Sequence, residues 1–199
     1  MARRVPWAAE AHTALRKDRL LGKHVRRIGE VSITLPRDPF VALVRSVVGQ
    51  QLSGRAANAI YERLVAALGS GGVAPDSVLS ASDEALRSAG LSAAKARTLR
   101  CLASAAQDGL DFRRLRRRDD ERIVEALTEI PGIGRWTAEM FLIFALGRQD
   151  VMSGGDLGLR KGLATVYGLE ELPKPRECEP LFEPWRPYRS AACWYLWRV

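Results

Sequence analysis

Residues 129–140, EIPGIGRWTAEM, combine a helix-breaking turn with the start of a second helix. Pro131 cannot continue a helix, because it lacks an N–H group and clashes with the preceding turn. Gly132 and Gly134 can adopt positive φ and let another molecule approach the backbone closely. The second helix then starts with N–H groups that have no intrahelical partner, beside the charge of Arg135. The stretch predicts a phosphate clamp on a nucleic-acid strand that reads no bases, or alternatively a tight helical hairpin without a ligand.

Asp156 stands where the sequence SGGD gives way to another helical pattern. The dipole of that helix favours an ionised carboxylate at its first residues. A fixed carboxylate can stabilise positive charge that develops on a substrate, and it can orient or deprotonate a water molecule. An ordinary helix cap is the alternative for this residue taken alone.

The chain is basic, with a formal net charge of +8 and a pI near 9.9. Residues 1–37 hold nine Lys and Arg against three Asp and Glu, so most of the excess lies at one end. Such a surplus suits a polyanionic partner, nucleic acid above all, although a solvated basic face kept for solubility fits the charge equally well. The run from Arg113 to Arg118 lies beside Asp119 and Asp120, and we interpret it as a solvated linker.

Three scattered cysteines, Cys101, Cys178 and Cys193, show no CxxC spacing. Their number and spacing argue against a disulfide framework and against a four-cysteine zinc or iron–sulfur site built by this chain. No apolar run reaches the roughly 20 residues that a membrane span needs. The basic N-terminus has no apolar signal region, so we expect a cytoplasmic protein, nucleoid-associated if bacterial.

Helical periodicity covers nearly every segment, which predicts an all-α protein. Only residues 31–35 alternate as a strand does. Asp38, Ser53, Ser82 and Ser92 are expected to cap helices. The other expected elements are helices over about 120–130, 135–147 and 157–168, a proline-rich connector over 172–187, and an aromatic C-terminal helix opened by Pro187.

Several stretches, in the right order along the chain, resemble the helix-hairpin-helix DNA glycosylase superfamily. Two of them narrow the similarity to the 3-methyladenine DNA glycosylase II branch, which repairs alkylated DNA: VGQQLS at 48–53 and WRPYRS at 185–190 with WYLW at 194–197. The others are GLSAAKA at 90–96, LTEIPGIGRWTA at 127–138 and DVMSGGDLGLR at 150–160. The resemblance spans residues 38–198.

The resemblance implies two helical lobes with the active-site cleft between them. One lobe would span 38–146 and carry the helix-hairpin-helix at about 120–146. The second lobe would combine 1–37 with 147–199 and carry the catalytic Asp and the aromatic C-terminal helix. Some family members add an N-terminal β domain, for which these 199 residues have no room.

The implied activity is excision of alkylated bases of the 3-methyladenine type. The enzyme would flip the damaged base out of double-stranded DNA and hydrolyse its N-glycosidic bond, leaving an abasic site, with Asp156 as the catalytic residue. Trp136 stands where the glycosylase/lyase members place a catalytic Lys, so no Schiff base forms there and the enzyme would be monofunctional. No cofactor is required, and the missing fourth cysteine argues against an iron–sulfur cluster.

The resemblance also assigns binding residues. The base pocket would use Trp136, Trp197, Met140 and Tyr188, with core packing as the alternative for each aromatic residue and as the interpretation of Trp194 and Tyr195. Met140 replaces a pocket Tyr of some members, and Met152-Ser153 replaces a commoner Phe-Pro, so both put the substrate range in doubt. Contacts to DNA would come from Gly132, Gly134, Arg135, Thr137, Gln50, Gln51 and Leu52, although Leu52 fits a core position as well. A structural Na⁺ or K⁺ could bind the backbone carbonyls of Thr128, Ile130 and Ile133.

Two alternatives stay open at this point. A non-catalytic helix-hairpin-helix module would keep the hairpin and the basic charge, but would need neither Asp156 nor the aromatic C-terminus. A glycosylase for oxidised or deaminated bases is the other alternative. In each case the expected partner is DNA, and for the enzymes it is duplex DNA with damaged bases, bound by a monomer that has no membrane contact.

Overall fold

The computed structural model describes residues 3–199, with the backbone alone at Arg113. Met1 and Ala2, which begin the basic segment, and the Arg113 side chain of the arginine run lie outside the described residues. Within this range the chain is almost wholly helical, and its one sheet is an antiparallel pair of two-residue strands, β1 (Arg3–Arg4) and β2 (Thr34–Leu35). The predicted all-α class is therefore confirmed. None of the helices in the described range is long and apolar enough to cross a membrane.

The chain forms two compact units, Met1–Leu35 with Leu142–Val199, and Pro36–Phe141. We refer to them as the terminal unit and the central unit. Residues 142–146, which the sequence placed with the hairpin, belong to the terminal unit. The separate roles assigned to the two lobes stay a prediction.

The terminal unit begins with β1, followed by α1 (Ala8–Leu15) and α2 (Gly22–Ile28), and β2 then returns beside β1. Arg3 pairs with Leu35 and Arg4 with Thr34. The indole N–H of Trp7 donates to the Gly147 carbonyl at 2.7 Å, which ties this segment to the later part of the same unit.

The central unit contains eight α-helices within the described residues. In chain order they are α3 (Pro39–Gly49), α4 (Gly54–Leu68), α5 (Pro75–Ser80), α6 (Asp83–Ser88), α7 (Ala93–Gln107), α8 (Phe112–Leu115), α9 (Asp120–Thr128) and α10 (Arg135–Phe141). Four predicted caps are confirmed, because the side chains of Asp38, Ser53, Ser82 and Ser92 accept backbone N–H groups of the helices that follow them.

Helix α3 is the centre of this unit and packs against α4, α7 and α10. Its predicted apolar face is fully buried: Phe40, Leu43, Val44, Val47 and Val48. The facing stripe of α7 is buried too, with Leu99 and Leu102 inaccessible to solvent. Burial of one apolar stripe per helix is what the helical periodicity of the sequence requires.

The predicted helix over 135–147 is shorter than expected. Regular α-helical bonding ends at Phe141, and residues Leu142–Leu146 form a π-helical turn. The Arg148 N–H group donates to the Leu142 carbonyl at 2.9 Å, and Gly147 at φ +70° redirects the chain.

The rest of the terminal unit contains α11 (Leu157–Tyr167), α12 (Cys178–Phe182) and α13 (Arg189–Leu196). Gly168, in the left-handed conformation, ends α11 as predicted. The expected connector over 172–187 joins α11 to α13 and contains α12 and two short 3₁₀ turns. Its Phe182 and Trp185 side chains are buried, which explains why the segment is ordered.

Helices α11 and α13 approach each other closely because Gly162 has no side chain. A Cβ atom at Gly162 would lie 2.5 Å from the Leu196 carbonyl oxygen. Trp194 and Tyr195 of α13 are buried, so their interpretation as core residues is confirmed. The Tyr195 hydroxyl donates to the Gly29 carbonyl at 2.9 Å and lies 3.2 Å from His12 Nδ1.

Candidate functional site

The glycine turn lies between α9 and α10 and forms a helical hairpin. Gly132 has φ +89°, and a Cβ atom there would overlap the Thr98 hydroxyl. Gly134 does not have positive φ, and a Cβ atom there would meet nothing within 4 Å. The expectation of positive φ is confirmed for Gly132 and wrong for Gly134. Gly132 therefore packs against α7, while Gly134 leaves open space directly before α10.

Gln50 connects the hairpin to the loop between α3 and α4. Its side-chain amide donates to the Gly132 carbonyl at 3.2 Å and to the Thr137 hydroxyl at 3.1 Å. Thr137 is only 2% exposed. The Thr137 side chain is therefore buried against Gln50, and a contact of Thr137 with DNA stays a prediction.

Arg135 is held by two carboxylates of its own hairpin. Its guanidinium binds Glu121 of α9 through two bonds of 2.7 Å and Glu139 of α10 at 3.0 Å. The bond to this guanidinium lowers the pKa of Glu121 below its usual value. Arg135 thus links α9 to α10 and its charge is compensated locally, so a contact with phosphate stays a prediction.

The loop after α3 presents its apolar residue to solvent. Gln51 has φ +57°, a conformation that costs a non-glycine residue roughly 1–2 kcal/mol. The Leu52 N–H group donates to the Gly49 carbonyl at 3.1 Å, and Leu52 is 40% exposed. The core alternative for Leu52 is therefore wrong.

The two pocket candidates of the central unit differ in exposure. Trp136, the second residue of α10, is 40% exposed, so it is not the core residue that the alternative interpretation required. Met140 lies one turn later in the same helix and is 8% exposed. The open aromatic surface in this helix is that of Trp136.

Asp156 is the N-cap of α11, and one of its oxygens accepts two hydrogen bonds. The Leu159 N–H group donates to Oδ1 at 2.8 Å, and the Trp197 indole N–H group donates to the same atom at 3.1 Å. The cap alternative is thus part of the structure, but the indole bond goes beyond what a cap requires. Trp197 follows the end of α13, so a second part of the terminal unit helps to hold this carboxylate.

A second aromatic ring lies beside the Trp197 of the Asp156–Trp197 pair. The Phe144 ring lies 5.6 Å from the Trp197 ring, centroid to centroid, and Phe144 is exposed. Gly158 makes room for the indole, since a Cβ atom there would lie 3.1 Å from both Trp197 Cδ1 and Asp156 Oδ1. Sequence reasoning missed Phe144 and Gly158, because neither has a distinctive spacing.

Two arginines of the WRPYRS stretch fix the segment that leads to Asp156. Arg189, which is buried, donates to Asp150 Oδ1 at 2.8 Å, and Arg186 donates to Asp150 Oδ2 at 2.6 Å. Ser190 accepts the Val151 N–H at 3.0 Å. Sequence reasoning missed this set of ion pairs, although the opposite charges of Arg186, Arg189 and Asp150 could have indicated it.

Tyr188 is half-buried, and its hydroxyl donates to Glu10 at 3.4 Å within the terminal unit. Its role in a base pocket stays a prediction. The structure brings Asp156 together with Trp197, and Gln50 together with Gly132 and Thr137.

The carbonyls proposed for a cation lie at the end of α9 and in the turn. Thr128 is the last residue of α9, where carbonyl groups lack intrahelical donors. The Ile130 carbonyl accepts the Ile133 N–H at 3.0 Å and keeps a second lone pair. Backbone oxygens of this kind suit a hard cation, so the residues fit the proposed ion.

Comparison with known proteins places these features in a family. Residues 44–187 match the model of the HhH-GPD superfamily base excision DNA repair proteins. The chain is 38% identical to DNA-3-methyladenine glycosylase 1 of Schizosaccharomyces pombe over 166 residues, which cover 82% of this chain and 73% of that protein.

Two solved structures are similar over nearly the whole chain. The S. pombe 3-methyladenine DNA glycosylase in complex with abasic DNA has a TM-score of 0.87 and 35% identity, covering 95% of each chain. A DNA-3-methyladenine glycosidase from Bacillus halodurans has a TM-score of 0.83 and 39% identity, covering all of this chain and 91% of the other. The chain belongs to the HhH-GPD superfamily of base excision DNA repair proteins.

Proposed function

We propose that this protein is a monofunctional DNA glycosylase that excises alkylated bases of the 3-methyladenine type and leaves an abasic site. The observation that carries the proposal is the Asp156 carboxylate, held by the Leu159 N–H and the Trp197 indole in a chain that belongs to a base excision repair family. The S. pombe relative at 38% identity is a DNA-3-methyladenine glycosylase, which supports this substrate class.

The proposed reaction breaks the bond between C1′ of the deoxyribose and the base nitrogen. A purine alkylated on its ring carries a positive charge, so it takes the bonding electron pair and leaves as a neutral base. Positive charge then develops on the sugar, as in other glycosyl transfers. The Asp156 carboxylate stabilises that charge, and a water molecule adds to C1′ as its proton passes to the carboxylate.

Two hydrogen bonds to one oxygen hold Asp156 in a single orientation before the substrate arrives. Such preorganisation is the main source of electrostatic catalysis, because the group need not reorient during the reaction. The bond from Trp197 also orients the indole ring. That ring, with Phe144 beside it, offers an electron-rich face to a cationic base.

We also propose how the central unit holds DNA. The first N–H groups of α10, next to the open space at Gly134, would bind a phosphate. The exposed Leu52 would enter the stack when the damaged base leaves it, and Trp136 would offer aromatic surface to the flipped base. A Na⁺ or K⁺ on the carbonyls of Thr128, Ile130 and Ile133 would add positive charge near that phosphate.

All of these groups come from one chain, which supports action as a monomer, and the proposed reaction calls for no organic cofactor or iron–sulfur cluster. Because the proposed substrate is chromosomal DNA, we propose that the protein acts where that DNA lies, which is the cytoplasmic nucleoid if the organism is bacterial.

The test is incubation of the purified protein with a duplex treated with a methylating agent, followed by alkaline cleavage of abasic sites. We expect strand breaks only after alkali, and free alkylated base in the supernatant. Borohydride added during turnover should trap no covalent protein–DNA adduct, because the resemblance places Trp136 at the position where the lyases have Lys. Binding without base release would favour the non-catalytic module. Release confined to duplexes with oxidised or deaminated bases would favour the other glycosylase class.

A further inference from the structure

Lys95 makes two short hydrogen bonds to the end of another helix in the central unit. It lies in the first turn of α7, after the cap Ser92, and is half-buried. Its Nζ donates to the Val48 carbonyl at 2.7 Å and to the Gln50 carbonyl at 2.8 Å. Those two carbonyls belong to the last turn and the C-cap of α3.

The position of Lys95 is unfavourable for its own helix. A cation in the first turn opposes the helix dipole, whereas a cation at the last carbonyls of a helix is stabilised by it. Burial also disfavours the charge, and it lowers the pKa of Lys95 below the usual value for lysine. The two bonds to α3 are the contacts that offset these costs, so Lys95 acts at the end of α3 rather than in α7.

The bonds from Lys95 fix the loop that follows α3. The remaining carbonyls there are also occupied, since the Val47 oxygen accepts the Gln50 N–H and the Gly49 oxygen accepts the Leu52 N–H. The Gln50 side chain is held by the hairpin, and Ser53 caps α4. The loop is therefore held at both ends, which lets Gln51 keep its φ of +57°.

We propose that Lys95 is a positioning residue for base flipping, which holds the loop 50–52 in the shape that presents Leu52 to the DNA stack. The proposal rests on the proposed function, because a fixed Leu52 matters only if a base leaves the duplex. A loop fixed in advance loses little conformational freedom when it enters DNA. Lys95 thus favours the flipped state, while the chemistry at Asp156 does not depend on it and the affinity for undamaged duplex depends on it only through its charge.

The first experiment tests whether Lys95 braces the loop 50–52, that is, holds it in place, in the free protein. Amide hydrogen exchange is measured for residues 49–53 in the parent, Lys95→Met, Lys95→Arg and Arg97→Met. Lys95→Met keeps the length of the side chain but removes its donors, and Arg97→Met removes an exposed charge of the same helix. Faster exchange at 49–53 in Lys95→Met alone, with thermal stability close to that of the parent, supports the brace; unchanged exchange overturns it.

The second experiment tests the effect on flipping. Single-turnover excision and the fluorescence of 2-aminopurine next to the lesion are measured with saturating enzyme. We expect Lys95→Met to lower the excision rate and the unstacking signal about ten-fold. Lys95→Arg should restore part of the loss, and affinity for undamaged duplex should match that of Arg97→Met. Excision equal to that of the parent would overturn the proposal.

A double-mutant cycle separates this role from general loosening of the fold. If Lys95 acts through Leu52, then Lys95→Met should cost little in a Leu52→Ala background, because interacting residues are not additive. The same loss in both backgrounds would overturn the proposal. A parent protein that releases no alkylated base would instead refute the proposed function, and the exchange experiment would still decide whether Lys95 braces the loop.

Discussion

Two turns of this protein lead into helices and end on different cap residues. The turn before α10 ends on Gly134, which has no side chain and faces open space. The turn before α11 ends on Asp156, whose carboxylate accepts the N–H group of Leu159. The first helix start thus has no side-chain cap from Gly134, whereas the second is capped by its own chain.

The difference shows that the residue before the first turn of a helix can serve two purposes. A glycine before a helix leaves the backbone donors accessible, which suits contact with a polyanion. An aspartate in the same position uses one donor to orient its own carboxylate, which suits chemistry on a cationic centre. Each turn is also held by distant residues: Gln50 and Thr98 in the first case, and Trp197 in the second.

The largest effect should follow from Asp156→Asn. The amide keeps the size of the side chain and can still cap α11, but the negative charge is lost. Excision should fall by about two orders of magnitude or more, while binding to DNA persists. Single-turnover excision of methylated bases, measured beside duplex affinity, checks this prediction.

Highly labile cationic lesions should lose less, because their glycosidic bond already breaks readily. A folded Asp156→Asn protein with a rate close to the parent rate would make Asp156 a helix cap only, and the two turns would no longer differ in purpose.

The two glycines of the hairpin should respond differently to alanine. Gly132→Ala places a Cβ atom at positive φ and against the Thr98 hydroxyl, so it should destabilise the fold by about 2 kcal/mol or more. Gly134→Ala meets nothing within 4 Å, so it should leave stability unchanged and weaken duplex binding several-fold. Thermal unfolding and affinity measured on both variants check the contrast. Unchanged affinity in Gly134→Ala would reduce the hairpin to a structural turn.

Local signals in the sequence predicted much of this fold. Asp38, Ser53, Ser82 and Ser92 cap helices as expected, because a cap depends on its own residue and the next three. The apolar face of α3 was predicted for the same reason, since helical spacing alone defines it.

Partners far apart in the sequence were not predicted. Gln50 was assigned to DNA, but its amide holds Thr137, 87 residues further on. Arg135 was assigned to phosphate, but its guanidinium also binds the Glu121 carboxylate of the preceding helix. Tertiary packing decides which of several polar groups meet, and spacing along the chain does not encode that choice. For the same reason the contact of Trp197 with Asp156 became visible only in the structure.

A smaller effect is expected from Gly158→Ala. The added Cβ would lie 3.1 Å from Trp197 Cδ1 and 3.1 Å from Asp156 Oδ1, so the indole must shift by a few tenths of an ångström. Excision should fall several-fold with little change in DNA affinity, because the catalytic geometry changes and the hairpin does not. Gly155→Ala is the matched control, since nothing lies within 4 Å of its Cβ position. Equal rates in the two variants would show that the indole does not orient Asp156.

The smallest effect, and the one that separates two roles of the hairpin, is expected from Arg135→Gln. If Arg135 neutralises a phosphate, the slope of log affinity against log salt should become shallower by about 0.9. The bonds to Glu121 and Glu139 predict the other result, in which the slope stays the same and the melting temperature falls, because Glu139 is buried and loses its cation.

The parent should still show a linear fall of log affinity with log salt, since the net charge is +8. Arg122→Gln is the control, because Arg122 is an exposed arginine of the same hairpin that forms an ion pair with Glu125 on α9. We expect an unchanged salt slope and a lower melting temperature. A shallower slope at unchanged stability would instead support the phosphate contact that the sequence predicted for Arg135.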